Sequence, residues 1–223
     1  TKDGGYLKAN WQIYTSKEKL TKISEENGMK VVFFDGRGGP PARGGGKTHD
    51  FYASQGKTIA NNQIELTIQG QTITSVFGNK DQAKFNFEQL LTAGIENDVF
   101  KSVKKDLNDK ERQLISELAD ISYQKYSDLK AHPMFVPYLQ EMSTLEYYGR
   151  TNIGSRPSKR GAGSELKFED LRAIPFVGSW SQLKQNVPGF FGFGFALKTL
   201  MDAGRFDDIK DLYKGSDFFK TLV

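Results

Sequence analysis

Residues 31–49 read VVFFDGRGGPPARGGGKTH, and the fold follows from how that stretch divides. Val31-Val32-Phe33-Phe34 is a short run of β-branched and aromatic residues and reads as a buried strand. Asp35 to Gly46 then holds six glycines, two prolines and two arginines in twelve residues. Glycine lets a ligand approach the main chain closely, and successive exposed N–H groups can form an anion-binding nest. Arg37 and Arg43 add planar forks that match carboxylate, bicarbonate or phosphate. Pro40 and Pro41 limit how far the loop can collapse. The stretch reads as a strand whose end holds small anions; the plainer alternative is a surface loop with solvated arginines. A nucleotide P-loop does not fit, because the spacing before Gly46-Lys47-Thr48 requires glycine where Pro41 stands.

Upstream, Tyr6, Leu7, Trp11, Ile13, Tyr14, Leu20 and Ile23 fall at roughly helical spacing, with Gly28 as the stop, so residues 3–26 read as a helix. Helix, strand and glycine-rich loop make one step of an α/β barrel, whose active sites lie at the C-terminal ends of the strands. Downstream, residues 63–68 alternate as a second strand, with Ile64, Leu66 and Ile68 on one side, and a polar TIQGQ turn follows. Residues 82–98 and 110–130 read as helices with Leu90, Leu91, Leu114, Ile115, Leu118, Ile121 and Tyr126 at core spacing. Asn108-Asp109 can cap the second. Residues 133–142 read as a short helix broken by Pro137. Residues 152–163, NIGSRPSKRGAG, form a basic loop carrying Arg156, Lys159 and Arg160. Residues 168–176 lead into a last strand, with Pro175 at its end or at a bulge. Residues 180–187 are amphipathic, residues 189–200 are apolar and aromatic and read as packing on the barrel, and residues 205–213 form a further short helix.

The chain has 223 residues, a net charge of +4 and no cysteine. That length suffices for a sizeable core. The excess charge sits in glycine- and proline-rich segments rather than in long basic runs, which favours small anions over nucleic acid. Disulfides and thiolate metal sites are excluded. There is no apolar run of about 18 residues to span a membrane and no secretory signal, so a cytoplasmic enzyme is the default. His49 reads as a satisfied histidine near the next helix and His132 as a surface residue.

The segment FFDGRGGPPARGGGKTHDFYASQ resembles the GRGG-xxx-RGG loop of phosphoenolpyruvate carboxylases. The similarity continues through Thr67-Ile68-Gln69-Gly70-Gln71-Thr72-Ile73 and Phe77-Gly78, and through residues 152–160, NIGSRPSKR. It ends with Leu171-Arg172-Ala173-Ile174-Pro175-Phe176 and residues 188–194, PGFFGFG. These blocks stand in the family's order and span most of the chain. Two departures are visible. Asp35 stands where many members have histidine, placing a carboxylate beside Arg37, and Phe176 replaces the more usual tryptophan.

The resemblance implies a helix-rich α/β chain, residues 1–223, forming a single C-terminal part of a (β/α)8 catalytic barrel with extra helices. The absence of an initiator methionine before Thr1 fits a segment that begins inside a longer protein. The reaction implied is that of a lyase: phosphoenolpyruvate and bicarbonate give oxaloacetate and phosphate. Arg37, Arg156 and Arg172 take the phosphate, carboxylate and bicarbonate, and Lys2 aids phosphate binding. Gly36, Gly38, Gly39, Gly44 and Gly45 build the anion loop, and Arg43 also meets an inhibitory dicarboxylate, aspartate or malate. The Mg2+ or Mn2+ ligands, an aspartate and a glutamate, lie upstream of Thr1, as does the catalytic histidine, so His49 is not that residue. The isolated segment is then expected to be inactive, and the parent to be a homotetramer. A non-catalytic anion-binding or regulatory module is the alternative from another class, and a nucleic-acid module the third.

Overall fold

A computed structural model describes residues 2–36, 47–61, 63–68, 71–100, 106–150 and 167–223. In order along the chain the elements are α1 (Tyr6–Glu26), β1 (Phe33–Asp35), α2 (Thr48–Ala53), β2 (Ile64–Leu66), α3 (Gln71–Phe77), α4 (Lys80–Val99), α5 (Asp109–Ala131), α6 (Phe135–Met142), α7 (Leu145–Arg150), α8 (Ala173–Gln182), α9 (Val187–Phe190), α10 (Phe193–Asp202), α11 (Phe206–Gly215) and α12 (Asp217–Leu222). A 3-10 turn, Phe168–Asp170, precedes α8. The chain is helix-rich with little strand. β1 and β2 pair in parallel, Phe33 opposite Ile64 and Asp35 opposite Leu66. A parallel pair needs a crossover, and α2 lies within it. A (β/α)8 barrel goes beyond the two strands seen among the described residues.

Two compact units divide the chain: residues 1–9 with 118–199, and residues 10–117 with 200–223. In the first, Phe135, Leu139, Leu145, Leu171, Phe176 and Trp180 form the core. Phe176 meets Phe168 edge to face, at 5.4 Å and 84°, an arrangement that adds to the burial energy. Gly192 has φ +88°, and a Cβ there would lie 2.4 Å from the Ser122 carbonyl oxygen, so only glycine lets the backbone before α10 reach α5.

In the second unit Trp11 stacks on Tyr14, and Phe218 packs tilted against Tyr14 with centroids 4.1 Å apart. Arg112 grips Glu18 through both terminal nitrogens at 2.7 and 2.6 Å. α1 ends as its sequence implies: Gly28 has φ +66°, and Met29 N donates to Ser24 O at 2.8 Å, the bond that closes a helix on a left-handed glycine. α5 begins on a reciprocal cap. Glu111 N donates to Asn108 Oδ1 at 2.9 Å and Asn108 N to Glu111 Oε2 at 2.8 Å.

Four expectations need correction. The run 31–34 is not a strand buried on both faces: Val31 and Val32 precede β1, and Phe34 is 64% exposed between the buried Phe33 and Asp35. A strand in a two-stranded sheet alternates rather than burying both sides. Residues 168–176 do not form a last strand. They form the 3-10 turn and the start of α8, with Pro175 in the first turn, where its missing N–H costs nothing. Pro137 likewise sits in the first turn of α6 and does not break it. Leu91 is 64% exposed on α4 rather than core, and Ile13, Leu20 and Ile23 are exposed on α1. The apolar segment 189–200 forms α9 and α10, with Phe193, Ala196 and Leu200 buried. Among the described residues no helix is long and apolar enough to cross a membrane.

Candidate functional site

Two of the residues expected to bind anions, Lys2 and Arg172, belong to the first unit. Lys2 Nζ donates to the carbonyl of Leu171 at 2.6 Å, the residue immediately before Arg172. Arg172 occupies the N-cap of α8 in extended conformation, with φ −82° and ψ 152°. Leu171 is buried in the core cluster, so the core itself fixes the backbone from which Arg172 projects. The Lys2 main chain is anchored from α5, where the Tyr126 hydroxyl donates to Lys2 O at 2.9 Å. Gly5, at φ +68°, lets the chain turn over the Tyr126 ring.

The electrostatics there are one-sided. Lys2 Nζ lies 4.7 Å from the centroid of Phe168, and Lys130 Nζ lies 5.3 Å from the same ring. Lys130 also donates to the Asp3 carbonyl. Its pKa is lowered, by burial first, with Lys2 adding like-charge repulsion. Among the described residues the carboxylate paired with Lys2 is that of Asp3 at 3.9 Å, whose side chain is 86% exposed. A solvated partner at that distance contributes little. Arg172 Nε is buried with no hydrogen-bond partner among the described residues. A buried donor left unpaired costs about 1–3 kcal/mol, a deficit that an anionic ligand would remove. Burial pushes the Tyr126 hydroxyl well above its ordinary range, so it stays neutral and acts as a donor.

In the second unit the glycine-rich stretch after β1 is described up to Gly36. Arg37, Gly38, Gly39, Arg43, Gly44 and Gly45 lie outside the described residues, as does Arg156 with Lys159 and Arg160. Asp35 closes β1 with its carboxylate turned into the second unit's interior. Oδ2 accepts from Lys17 Nζ at 2.9 Å and from the Tyr52 hydroxyl at 3.0 Å. Sequence reasoning missed Lys17. A signal was present, since Leu7, Asn10, Tyr14, Lys17 and Thr21 follow one another at three or four residues and all are buried. Lys130 was missed too, and its spacing of four from Tyr126 is the only clue the sequence holds.

His49 lies in α2 between two carboxylates, with Nδ1 3.3 Å from Asp50 and Nε2 3.5 Å from Glu96. His132 Nδ1 accepts from Met134 N at 3.1 Å. Among the described residues, no three His, Asp or Glu side chains come close enough to hold a metal ion. The described residues therefore do not themselves fit a divalent-metal site.

The described residues define a helix-rich α/β chain with one parallel strand pair. The chain belongs to the phosphoenolpyruvate carboxylase family, whose sequence model matches residues 1–223. It is 35% identical to the phosphoenolpyruvate carboxylase of Corynebacterium efficiens over 228 residues, 33% to that of Corynebacterium diphtheriae over 229 and 36% to that of Corynebacterium glutamicum over 230. Each alignment covers the whole of this chain and 25% of the relative, so the chain spans a quarter of those proteins' length.

Proposed function

We propose that this chain supplies the anion-gripping residues of an enzyme that joins bicarbonate to phosphoenolpyruvate, giving oxaloacetate and phosphate. The observation that carries the reading is the pair formed by Lys2, bonded to the Leu171 carbonyl, and Arg172, whose buried Nε has no partner among the described residues. In the reaction a bicarbonate oxygen takes the phosphoryl group and the enolate of pyruvate is released. The carboxyphosphate yields carbon dioxide, which the enolate captures by forming the new C–C bond. Each species is anionic, so fixed cations both bind the ground state and hold charge as it moves. Arg172, Arg37 and Arg156 bind the carboxylate, phosphate and bicarbonate groups, and Lys2 steadies the phosphate. Gly36, Gly38, Gly39, Gly44 and Gly45 line the phosphate side, and Arg43 links that loop to inhibition by aspartate or malate.

A bound Mg2+ or Mn2+ would supply Lewis-acid chemistry, and on this reading residues outside this chain would hold it. A cytoplasmic homotetramer is the assembly in which this reading places the chain. The test is oxaloacetate formation by the full-length protein, read through malate dehydrogenase and NADH. Turnover that depends on phosphoenolpyruvate, bicarbonate and the metal is expected, with none from the 223-residue chain alone. An inactive full-length protein that still binds phosphoenolpyruvate would favour the anion-binding module instead.

A further inference from the structure

The outer face of α4 matches itself end for end. Its inner face is fixed by the buried Ala93 and by Asn97, whose Nδ2 donates to the Tyr52 carbonyl of α2 at 2.8 Å. The face turned outward carries Phe87, Leu91 and Ile95 at four-residue spacing, each more than half exposed. The Phe77 ring of α3 meets that of Phe87 at 5.2 Å and steadies it from one side. Lys84 stands just before this apolar stripe, exposed, with Glu88 of its own helix at 3.6 Å. Asp98 stands just after it and is exposed.

These positions are symmetric about Leu91. Ile95 lies four residues beyond it and Phe87 four before; Asp98 lies seven beyond and Lys84 seven before. Two copies of α4 packed antiparallel on a two-fold axis at Leu91 therefore set Leu91 against Leu91, Phe87 against Ile95 twice and Lys84 against Asp98 twice. A parallel pairing would set Lys84 against Lys84 and Asp98 against Asp98, which repel. Asp98 points the same way. It lies in the last turn, where the helix dipole favours a cation, and it has no ion-pair partner among the described residues. An ammonium from a second copy supplies one.

We propose that the outer face of α4 is a contact between two copies of this protein, antiparallel about Leu91, with Phe87 and Ile95 interleaved and Lys84 paired to Asp98 at both ends. One helix face buries less than the roughly 1,200 Å2 of a stable interface. The pairing is accordingly concentration-dependent, and a dilute chain keeps the stripe exposed.

The test uses the full-length protein, with Leu91→Cys placing a thiol on the axis. Leu91 is exposed, so the change disturbs the fold little. At an interaxial distance of about 10 Å, two Cα atoms on the axis, each about 2.3 Å from its helix centre, come to about 5 Å, within the span of a disulfide. Mild oxidation of mixed isotopically light and heavy protein is expected to give a light–heavy disulfide at position 91, found by mass spectrometry, with a yield that rises with concentration. Phe85→Cys, also exposed on α4, is the control. Its two copies lie about 18 Å apart along the helices and remain unlinked. In the Leu91→Cys background, Lys84→Glu and Asp98→Lys each lower the yield at least about fivefold, and the two together return it to within about twofold.

No light–heavy disulfide from Leu91→Cys, an equal yield from Phe85→Cys, or no recovery in the double charge reversal overturns the proposal. A thiol at position 91 that neither links nor reacts with iodoacetamide shows other polypeptide covering the stripe. One that reacts freely without linking shows the stripe facing solvent. Either result overturns it too. None of these readouts involves turnover, so their failure leaves the carboxylase reading standing, and an inactive full-length protein leaves the disulfide series to decide.

Discussion

Lys2 and Lys17 are both pressed into the protein, with side chains 12% and 8% exposed, yet they are answered differently. Lys17 meets a buried carboxylate at 2.9 Å, and the charges cancel. Lys2 meets a carbonyl at 2.6 Å and a ring face at 4.7 Å, both neutral. Carbonyl and ring stabilise an ammonium without removing its positive field. A lysine paired as Lys17 is pairs for good. Lys2 keeps its field, and on the proposed reading that field and the Arg172 Nε, unanswered among the described residues, serve a ligand.

The sharpest way to break that contrast is Arg172→Gln. If its charge serves a ligand, kcat/KM of the full-length protein falls about 10³-fold, on the order of 4 kcal/mol of lost transition-state stabilisation. The thermal midpoint stays within about 2 °C, since Arg172 Nε makes no hydrogen bond among the described residues. A large loss of stability with modest loss of rate would mean a structural arginine. Lys2→Met comes next, with an expected fall in kcat/KM of roughly 50-fold and the larger share in KM for phosphoenolpyruvate. A fall confined to kcat would instead place Lys2 on the charge that develops during reaction.

A third test uses buried groups kept neutral. Tyr14 is pushed up to about 12 by burial, with the Glu18 carboxylate adding to the shift and Arg112 working against it. Tyr6 is pushed up to about 12 by burial. Both stay protonated in the folded chain, whereas in the unfolded chain they ionise near the ordinary value of about 10. Folding is therefore favoured fully below pH 10 and progressively less as pH rises toward 12. Tyr14→Phe should remove its share of that decline, at most about 2 kcal/mol between those limits. The check is denaturant midpoint against pH for the two proteins, and equal slopes would mean that Tyr14 is not the titrating group.

Much of the fold is legible where burial follows apolar spacing, and lost where it does not. Tyr6, Leu7, Trp11 and Tyr14 are buried as their spacing implies. Beyond Tyr14 the buried face of α1 continues through Lys17 and Thr21, polar residues satisfied by Asp35 and by the Ala60 N–H at 3.0 Å. Following hydrophobicity instead leads to Leu20 and Ile23, which are exposed. A short apolar run such as Ala173-Ile174-Pro175-Phe176 is compatible with strand and with buried helix alike, and packing of Phe176 among Phe135, Phe168 and Trp180 goes with the helix. Lys2 and Arg172 were singled out as expected site residues because they sit in motifs. That the Leu171 carbonyl joins them was not legible, since a contact spanning 169 residues leaves no local pattern.

α5 and α4 carry the same lesson to its smallest measurable effect. On α5, Leu114, Ile115, Leu118 and Tyr126 are buried at the expected spacing. On α4, Phe87, Leu91, Ile95 and Val99 repeat every four residues, and each is more than half exposed. The pattern alone does not distinguish these helices, because amphipathic spacing marks a face that can be buried and not the surface that buries it. In the 223-residue chain, Leu91→Ser should then change unfolding free energy by less than about 0.5 kcal/mol, as surface substitutions do. Chemical denaturation of the two chains measures it. A cost of about 2 kcal/mol or more would mean that Leu91 is covered in solution.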